Sequence, residues 1–245
     1  MEANNAVISL SGGLDSTCLL LKLLAEGKEV KAYSFKYGQK HSIELDKVQN
    51  NVLYLRERGY KIEHQIINLE DVFSDSASSL HESGDDIPKG HYKDDNMKST
   101  VVENRNVIFS SIIYGKALSW ANKTDENVLI TLGIHAGDHS IYPDCTPESH
   151  NAAKHLFKIS NWGSEKVDYI APFVNLDKNE VLGAGIKAMK DMWFSDEEIE
   201  YVLRNTHTCY DPDSYGRSCG QCGSCRERLE AFEKNGMKDP IQYQF

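Results

Sequence analysis

Two short stretches of this 245-residue chain combine residue types and spacings that can do chemistry. The first is Ser11-Gly12-Gly13-Leu14-Asp15-Ser16-Thr17, between an apolar run and a helix-forming run. Two glycines let the backbone turn tightly and approach a ligand. The helix that follows offers free N–H groups and a positive dipole end, and Ser11, Ser16 and Thr17 add hydroxyls, so the loop reads as a phosphate cradle. Asp15 would repel a phosphate, which leaves it Mg²⁺ or loop-shaping work. The second stretch is Cys209-x9-Cys219-x2-Cys222-x2-Cys225. Four thiolates satisfy tetrahedral Zn²⁺ with no open position, so this reads as a structural zinc site. A [4Fe–4S] cluster uses the same ligand set and is not excluded by spacing. Cys18 reads as a small core residue, and Cys145 as buried filler or part of a site.

Apolar patterning shows what positions these groups. Ala6–Leu10 reads as a strand, Ser16–Glu26 as a helix, Glu29–Tyr37 as a strand, His41–Arg58 as an amphipathic helix, and Lys61–Leu69 as a third strand. This β-α-β-α-β order predicts a doubly wound parallel sheet, with the glycine loop at the carboxyl end of its first strand. Glu70–Thr100, with eight acidic residues, reads as a mobile lid or insertion. Regular structure resumes as helix Asn104–Ala121, strand Asn127–Leu132, helix Pro147–Ser160 and strand Val167–Ala171. Helices follow at Asp177–Lys190, with Asp177 as N-cap, and at Ser195–Arg204, opened by a Ser195/Glu198 capping box. A last helix, Arg226–Asn235, trails the cysteines. The predicted division is an α/β domain over 1–171 and a small helical, cysteine-bearing lobe over 172–245.

Charge and hydropathy narrow the function. Lys plus Arg is 27 against 37 Asp plus Glu, a net charge of −10, which argues against a global grip on nucleic acid. No apolar run approaches the ~20 residues of a membrane span. The polar start Met1–Asn5 does not read as a signal peptide, so a cytoplasmic protein is expected. There is no Walker loop and no G-x-G-x-x-G. His81, His91, His135, His139, His150 and His155 lack metal-ligand spacing and read as surface or locally bonded groups.

The S-G-G-x-D-S string instead resembles the pyrophosphate loop of ATP pyrophosphatases, which have the adenine nucleotide alpha hydrolase-like fold. Further motifs narrow the resemblance: Tyr37-Gly38-Gln39-Lys40-His41, Arg105-Asn106 with Phe109, Tyr142-Pro143-Asp144-Cys145, Pro172-Phe173, Lys178-Asn179-Glu180, Thr206-His207-Thr208-Cys209-Tyr210, Arg228 and Phe232. In this order, with the four cysteines, they resemble the 7-cyano-7-deazaguanine synthase (QueC) family from about Ala6 to Phe232.

The resemblance implies ATP, with Mg²⁺, held around Leu10, Ser11, Gly12, Gly13, Leu14, Asp15, Ser16, Thr17, Cys18, Leu19 and Leu20. It implies a substrate region built from Tyr37, Gln39, His41, Arg105, Asn106, Asp138, Tyr142, Asp144 and Lys178. Within it, Lys178 and Arg105 would face growing negative charge, and Asp138 and Asp144 would meet the deazapurine edge or simply form turns. It implies two adenylations that convert 7-carboxy-7-deazaguanine and ammonia to the nitrile, in a homodimer without nucleic-acid partners. Departures from the family pattern cluster at Glu103-Asn104, Ala136-Gly137-Asp138, Ile141 and Thr146. They keep a second reading open: a related ligase that joins the activated acid to another amine, on a protein for example. A tRNA thiolase or a catalytically inactive nucleotide sensor fits less of the chain.

Overall fold

The computed structural model describes residues 2–40, 43–90 and 95–245. His41 and His91 lie outside the described residues. Five strands form one sheet: β1 (Asn5–Ser9), β2 (Glu29–Lys36), β3 (Ile62–Asn68), β4 (Val128–Thr131) and β5 (Val167–Ile170). Their order is β3-β2-β1-β4-β5, and every pairing is parallel. The chain therefore winds outward from β1 to β3, then returns to the other side of β1. That reversal opens a crevice between β1 and β4 at their carboxyl ends, where open α/β sheets bind ligands.

Alternation along the strands sorts the core into two layers. Ala6 and Ile8 of β1, Val30 and Ala32 of β2, and Leu129 of β4 face one side. There they meet α1 (Leu14–Ala25) and α2 (Ile43–Glu57). Val7, Tyr33, Phe35, Val128, Ile130 and Tyr169 face the other side, against α3 (Arg105–Thr124) and Phe157 of α4 (Pro147–Ser160). The chain beyond residue 171 joins the first layer: Val181, Leu182 and Met189 of α5 (Lys178–Asp191), Val202 of α6 (Asp196–Arg204) and Phe232 of α7 (Gly223–Lys234) share its core. Helix α1 lies between the sheet and α5, which explains why Leu19, Leu20 and Leu21 are all buried. The close approach needs Gly185 on α5, because a Cβ there would overlap the Cys18 thiol. The Asp177/Glu180 and Ser195/Glu198 capping boxes both form, opening α5 and α6 where the sequence places them.

The segment 70–100 carries its own anchors where it is described. Phe73, Leu80 and Met97 are buried in the second layer. His81 pairs with Gln39 in an isolated antiparallel bridge, and the Gly90 N–H donates to the Gln221 carbonyl.

A buried ion pair ties the C-terminal region together. Arg228 on α7 is fully buried; its Nε and Nη2 donate to the two Asp239 carboxylate oxygens at 2.7 and 3.0 Å. Its Nη1 donates to the hydroxyls of Thr206 and Thr208, and Nη2 also reaches the Leu203 carbonyl. Removing one partner strands a buried charge. Arg228→Met is expected to lower stability by about 3–5 kcal/mol, measured by urea unfolding.

Candidate active site

The loop after β1 is pinned by its own side chains. The Gly13 N–H donates to Ser11 Oγ at 3.2 Å, the Ser11 N–H donates to Ser16 Oγ at 3.2 Å, and the two hydroxyls lie 3.0 Å apart. Gly12 has φ +93, and a Cβ there would overlap the Glu44 carbonyl oxygen and Val48, so only glycine lets α2 pack onto this turn. The Gly12 carbonyl accepts the His207 N–H at 2.9 Å, which links the loop to the chain that precedes the cysteines. No side chain caps α1, so its first N–H groups stay available to an anion.

Around this loop lies a cavity of about 180 Å³. The phosphate loop contributes Ser11, Gly13, Asp15 and Ser16; the end of β2 and the start of α2 contribute Tyr37 and Glu44. Arg105, Asn106 and Phe109 come from α3, and Asp138, Tyr142 and Cys145 from the turns after β4. Lys178 opens α5, and His207, Thr208, Tyr210 and Ser224 complete the wall. The described parts of the two motif regions thus converge on one space.

The charged floor of the cavity is a chain of ion pairs. Lys178 Nζ lies 3.2 Å from Asp15 Oδ2 and 3.2 Å from Glu227 Oε2, and it is only 6% exposed. His135 Nε2 sits 3.6 Å from both Asp15 Oδ2 and Asp138 Oδ2. Burial alone would raise the Asp15 pKa, but the Lys178 and His135 charges outweigh it and hold this carboxyl well below the usual range. Burial disfavours a charged Lys178, yet Asp15 and Glu227 keep its pKa above that of a free lysine. His135 is opposed by burial and favoured by Asp138 and Asp15, which bring it to about 9. The Gly137 N–H directed at Nδ1 counters that rise, because a proton there would set two donors face to face. Nε2 faces both carboxylates at ion-pair distance.

The opposite wall is aromatic. Phe35 and Phe109 stack at 4.0 Å, with Tyr37 edge-on to Phe109. Arg105 Nη1 donates to the Tyr37 hydroxyl at 3.2 Å. Gln39 is fully engaged: its Oε1 accepts the Tyr37 N–H, and its Nε2 donates to the Phe35 carbonyl and to Glu44 Oε1 at 3.1 Å. Glu44 is pushed up to about 8 by burial, against the opposing pull of the Gln39 hydrogen bond and Arg105.

The structure does not bring every sequence-selected residue to the cavity. Leu10, Leu14, Cys18, Leu19 and Leu20 are buried in the core under the loop. Asp144 is spent on α3: its carboxylate accepts from the Asn106 N–H at 3.2 Å and from Asn106 Nδ2 at 3.3 Å. Tyr142 shares its hydroxyl with Thr100 at 2.7 Å and Tyr210 at 3.4 Å. His135, read from sequence as a surface or locally bonded group, is 1% exposed and links Asp15 to Asp138 in the ion-pair chain. Glu44 and Glu227 also escaped the sequence reading. Glu44 had one available signal, its place one helical turn from the Tyr37–His41 motif; Glu227 had none beyond the cysteines next to it.

The four cysteines fold as one cluster. All are buried, and their sulfurs lie within 4.8 Å of one another. No disulfide joins them. Backbone N–H groups of Asp211 and Cys219 point at Cys209 Sγ at 3.3 and 3.1 Å, and those of Gln221 and Cys222 at Cys219 Sγ, an arrangement that favours thiolates. The donor set fits a closed metal site.

Comparison with known proteins agrees with this geometry over the whole chain. The family model described as "Queuosine biosynthesis protein QueC" matches residues 5–236. A 7-cyano-7-deazaguanine synthase of Marinomonas sp. is 40% identical over 242 residues, covering 99% of each chain. One of Pseudoalteromonas atlantica is 40% identical over 239 residues, covering 97% of this chain and 98% of its own. One of Caldicellulosiruptor saccharolyticus is 39% identical over 240 residues, covering 98% and 95%. With a phosphate loop and an ion-paired lysine at one cavity, a buried four-cysteine cluster, and full-length similarity of this degree, the chain belongs to the QueC family.

Proposed function

We propose that this protein is an ATP-dependent 7-cyano-7-deazaguanine synthase. The observation that carries the reading is the joining of an open phosphate loop and an aromatic, Arg105-bearing wall in one cavity. ATP lays its phosphates on the Ser11–Ser16 loop and the N-terminus of α1, bringing Mg²⁺ with it. The flat deazapurine enters between the loop and the Phe35, Tyr37 and Phe109 rings. Its carboxylate attacks the α-phosphorus, pyrophosphate leaves, and ammonia displaces AMP to give the amide. The amide oxygen takes a second adenylyl group, and loss of AMP leaves the nitrile. Lys178 supplies fixed positive charge beside the departing phosphates, already paid for by Asp15 and Glu227 and so needing no reorganisation. Asp15 is a positioning residue that holds that ammonium in place, and His135 acts on Asp15. Thr100 bonds the hydroxyl of Tyr142, a residue that lines the cavity.

Incubation with 7-carboxy-7-deazaguanine, ATP, Mg²⁺ and ammonium should give the nitrile by mass spectrometry, with two AMP per nitrile. AMP without nitrile would mean that adenylation serves another acceptor.

We further infer that Cys209, Cys219, Cys222 and Cys225 hold Zn²⁺, which contributes folding free energy rather than chemistry. Metal analysis should find about one zinc per chain and no iron. Stripping it with a chelator should lower the melting temperature.

A cytoplasmic homodimer completes the reading. Among the described residues no helix is long and apolar enough to cross a membrane. Leu156, Ile159 and Trp162, on and just beyond α4, are 54%, 67% and 97% exposed and supply an apolar stripe for self-association. The double substitution Leu156→Glu with Ile159→Glu is expected to shift the light-scattering mass from dimer to monomer; an unchanged mass would place the interface elsewhere.

A further inference from the structure

Most polar side chains around the cavity are already engaged. Ser11 and Ser16 bond each other and N–H groups of the loop. Lys178 is paired with Asp15 and Glu227, Arg105 donates to the Tyr37 hydroxyl, and Asn106 serves Asp144. Ser224 is different. It is 3% exposed and lines the cavity, and among the described residues no group hydrogen-bonds its hydroxyl. A buried hydroxyl without a partner costs stability, so its place at the cavity wall points to a ligand atom.

Helix geometry fixes the direction of that hydroxyl. Residues 224, 227 and 228 lie three and four positions apart and share one face of α7. On that face Glu227 reaches Lys178, and Arg228 Nη1 donates to Thr208 Oγ1 at 3.0 Å. The thiols of Cys222 and Cys225, on either side of Ser224, belong to the cysteine cluster instead. Ser224 stands in the first turn of α7, and no side chain caps that turn. An uncapped helix N-terminus favours negative charge. Helices α1 and α7 thus each bring an uncapped first turn to the same cavity.

Thr208 adds a second hydroxyl to this wall. It also lines the cavity, and because its oxygen accepts from the buried Arg228 guanidinium, its own proton is directed elsewhere. A hydroxyl that accepts a charge-assisted hydrogen bond is the stronger donor for it. Thr208 follows His207, whose N–H bonds the Gly12 carbonyl, so the wall adjoins the phosphate loop. The one carboxylate on this face of α7, Glu227, is met by Lys178.

We infer that Ser224, Thr208 and the first turn of α7 form a second oxyanion site beside the phosphate loop. Its ligand is an anionic oxygen that takes the two hydroxyl protons. Two sources offer that chemistry, a phosphate oxygen of the polyphosphate chain and the carboxylate of the acid substrate. The identity of these ligands rests on the synthase reading, and the site rests on the geometry.

The test uses the intact protein and calorimetric titration with two separate probes, inorganic pyrophosphate with Mg²⁺ and 7-carboxy-7-deazaguanine. Ser224→Ala removes the hydroxyl and keeps a good helix former. It should weaken one probe about 10-fold or more, the loss expected from removing a hydrogen bond to a charged group, and leave the other within about twofold. A loss for pyrophosphate assigns the site to phosphate, and a loss for the acid assigns it to the carboxylate. Thr208→Val, close in shape, should weaken the same probe, and it carries the test if Ser224→Ala does not fold. Metal content should be unchanged in both variants, because neither side chain is a thiol of the cluster. Affinities of the variants within about twofold of the unmodified protein for both probes, or equal losses for both, overturn the inference alone. Binding of neither probe by the unmodified protein overturns the synthase reading and the oxyanion site together.

Discussion

Everything in the site hangs on a buried ammonium group. Lys178 is almost completely excluded from water, and desolvating a lone charge costs several kcal/mol. It is tolerated because Asp15 from α1 and Glu227 from α7 stand on either side of it. Those three residues come from the start, the three-quarter point and the end of the fold. Their mutual need for one another therefore fixes three helices relative to the sheet. His135, entering from the end of β4, closes the set by bridging Asp15 and Asp138. The resulting cavity has a charged floor whose geometry exists before any ligand arrives, and preorganisation of this kind is where electrostatic catalysis draws its strength.

The second constraint is steric. Because Gly12 has no side chain, the first turn of α2 touches the phosphate loop directly. That contact brings Glu44 into the cavity. It also leaves the Gly12 carbonyl free to accept the His207 N–H, so the residues before the cysteines become a wall of the site. Arg228 reinforces the same wall from behind through Thr206 and Thr208. The cysteine cluster is thus continuous with the reaction chamber: Ser224, between two of the thiols, lines it.

Much of this was legible in the sequence because the signals are local. The glycine loop, the strand–helix alternation, the capping residues Asp177 and Ser195, and the four-cysteine spacing each depend on a few neighbouring residues. The doubly wound parallel sheet follows from them. Leu14, Cys18, Leu19 and Leu20 of the expected ATP set lie in the core, since a helix behind such a loop turns most of its apolar residues inward. His135, Glu44 and Glu227 were illegible for the opposite reason. An isolated histidine or glutamate acquires meaning only from partners distant in the chain, and periodicity says nothing of them. Asp144 shows the same limit: its Asn106 partner lies 38 residues away, and it serves α3 rather than the cavity.

The pairing of Arg228 with Asp239 has a consequence for how the protein is made. During synthesis the Ser11–Ser16 loop emerges first and β1 can find β2 early. The lysine that sits over the loop, its Glu227 counter-ion, and the arginine that braces the surrounding wall all come much later. Long-range contacts of this kind close slowly. The phosphate loop is therefore the first part of the site to be built and the last to be finished, and a chain caught partway exposes the apolar flank of α1 that α5 will cover.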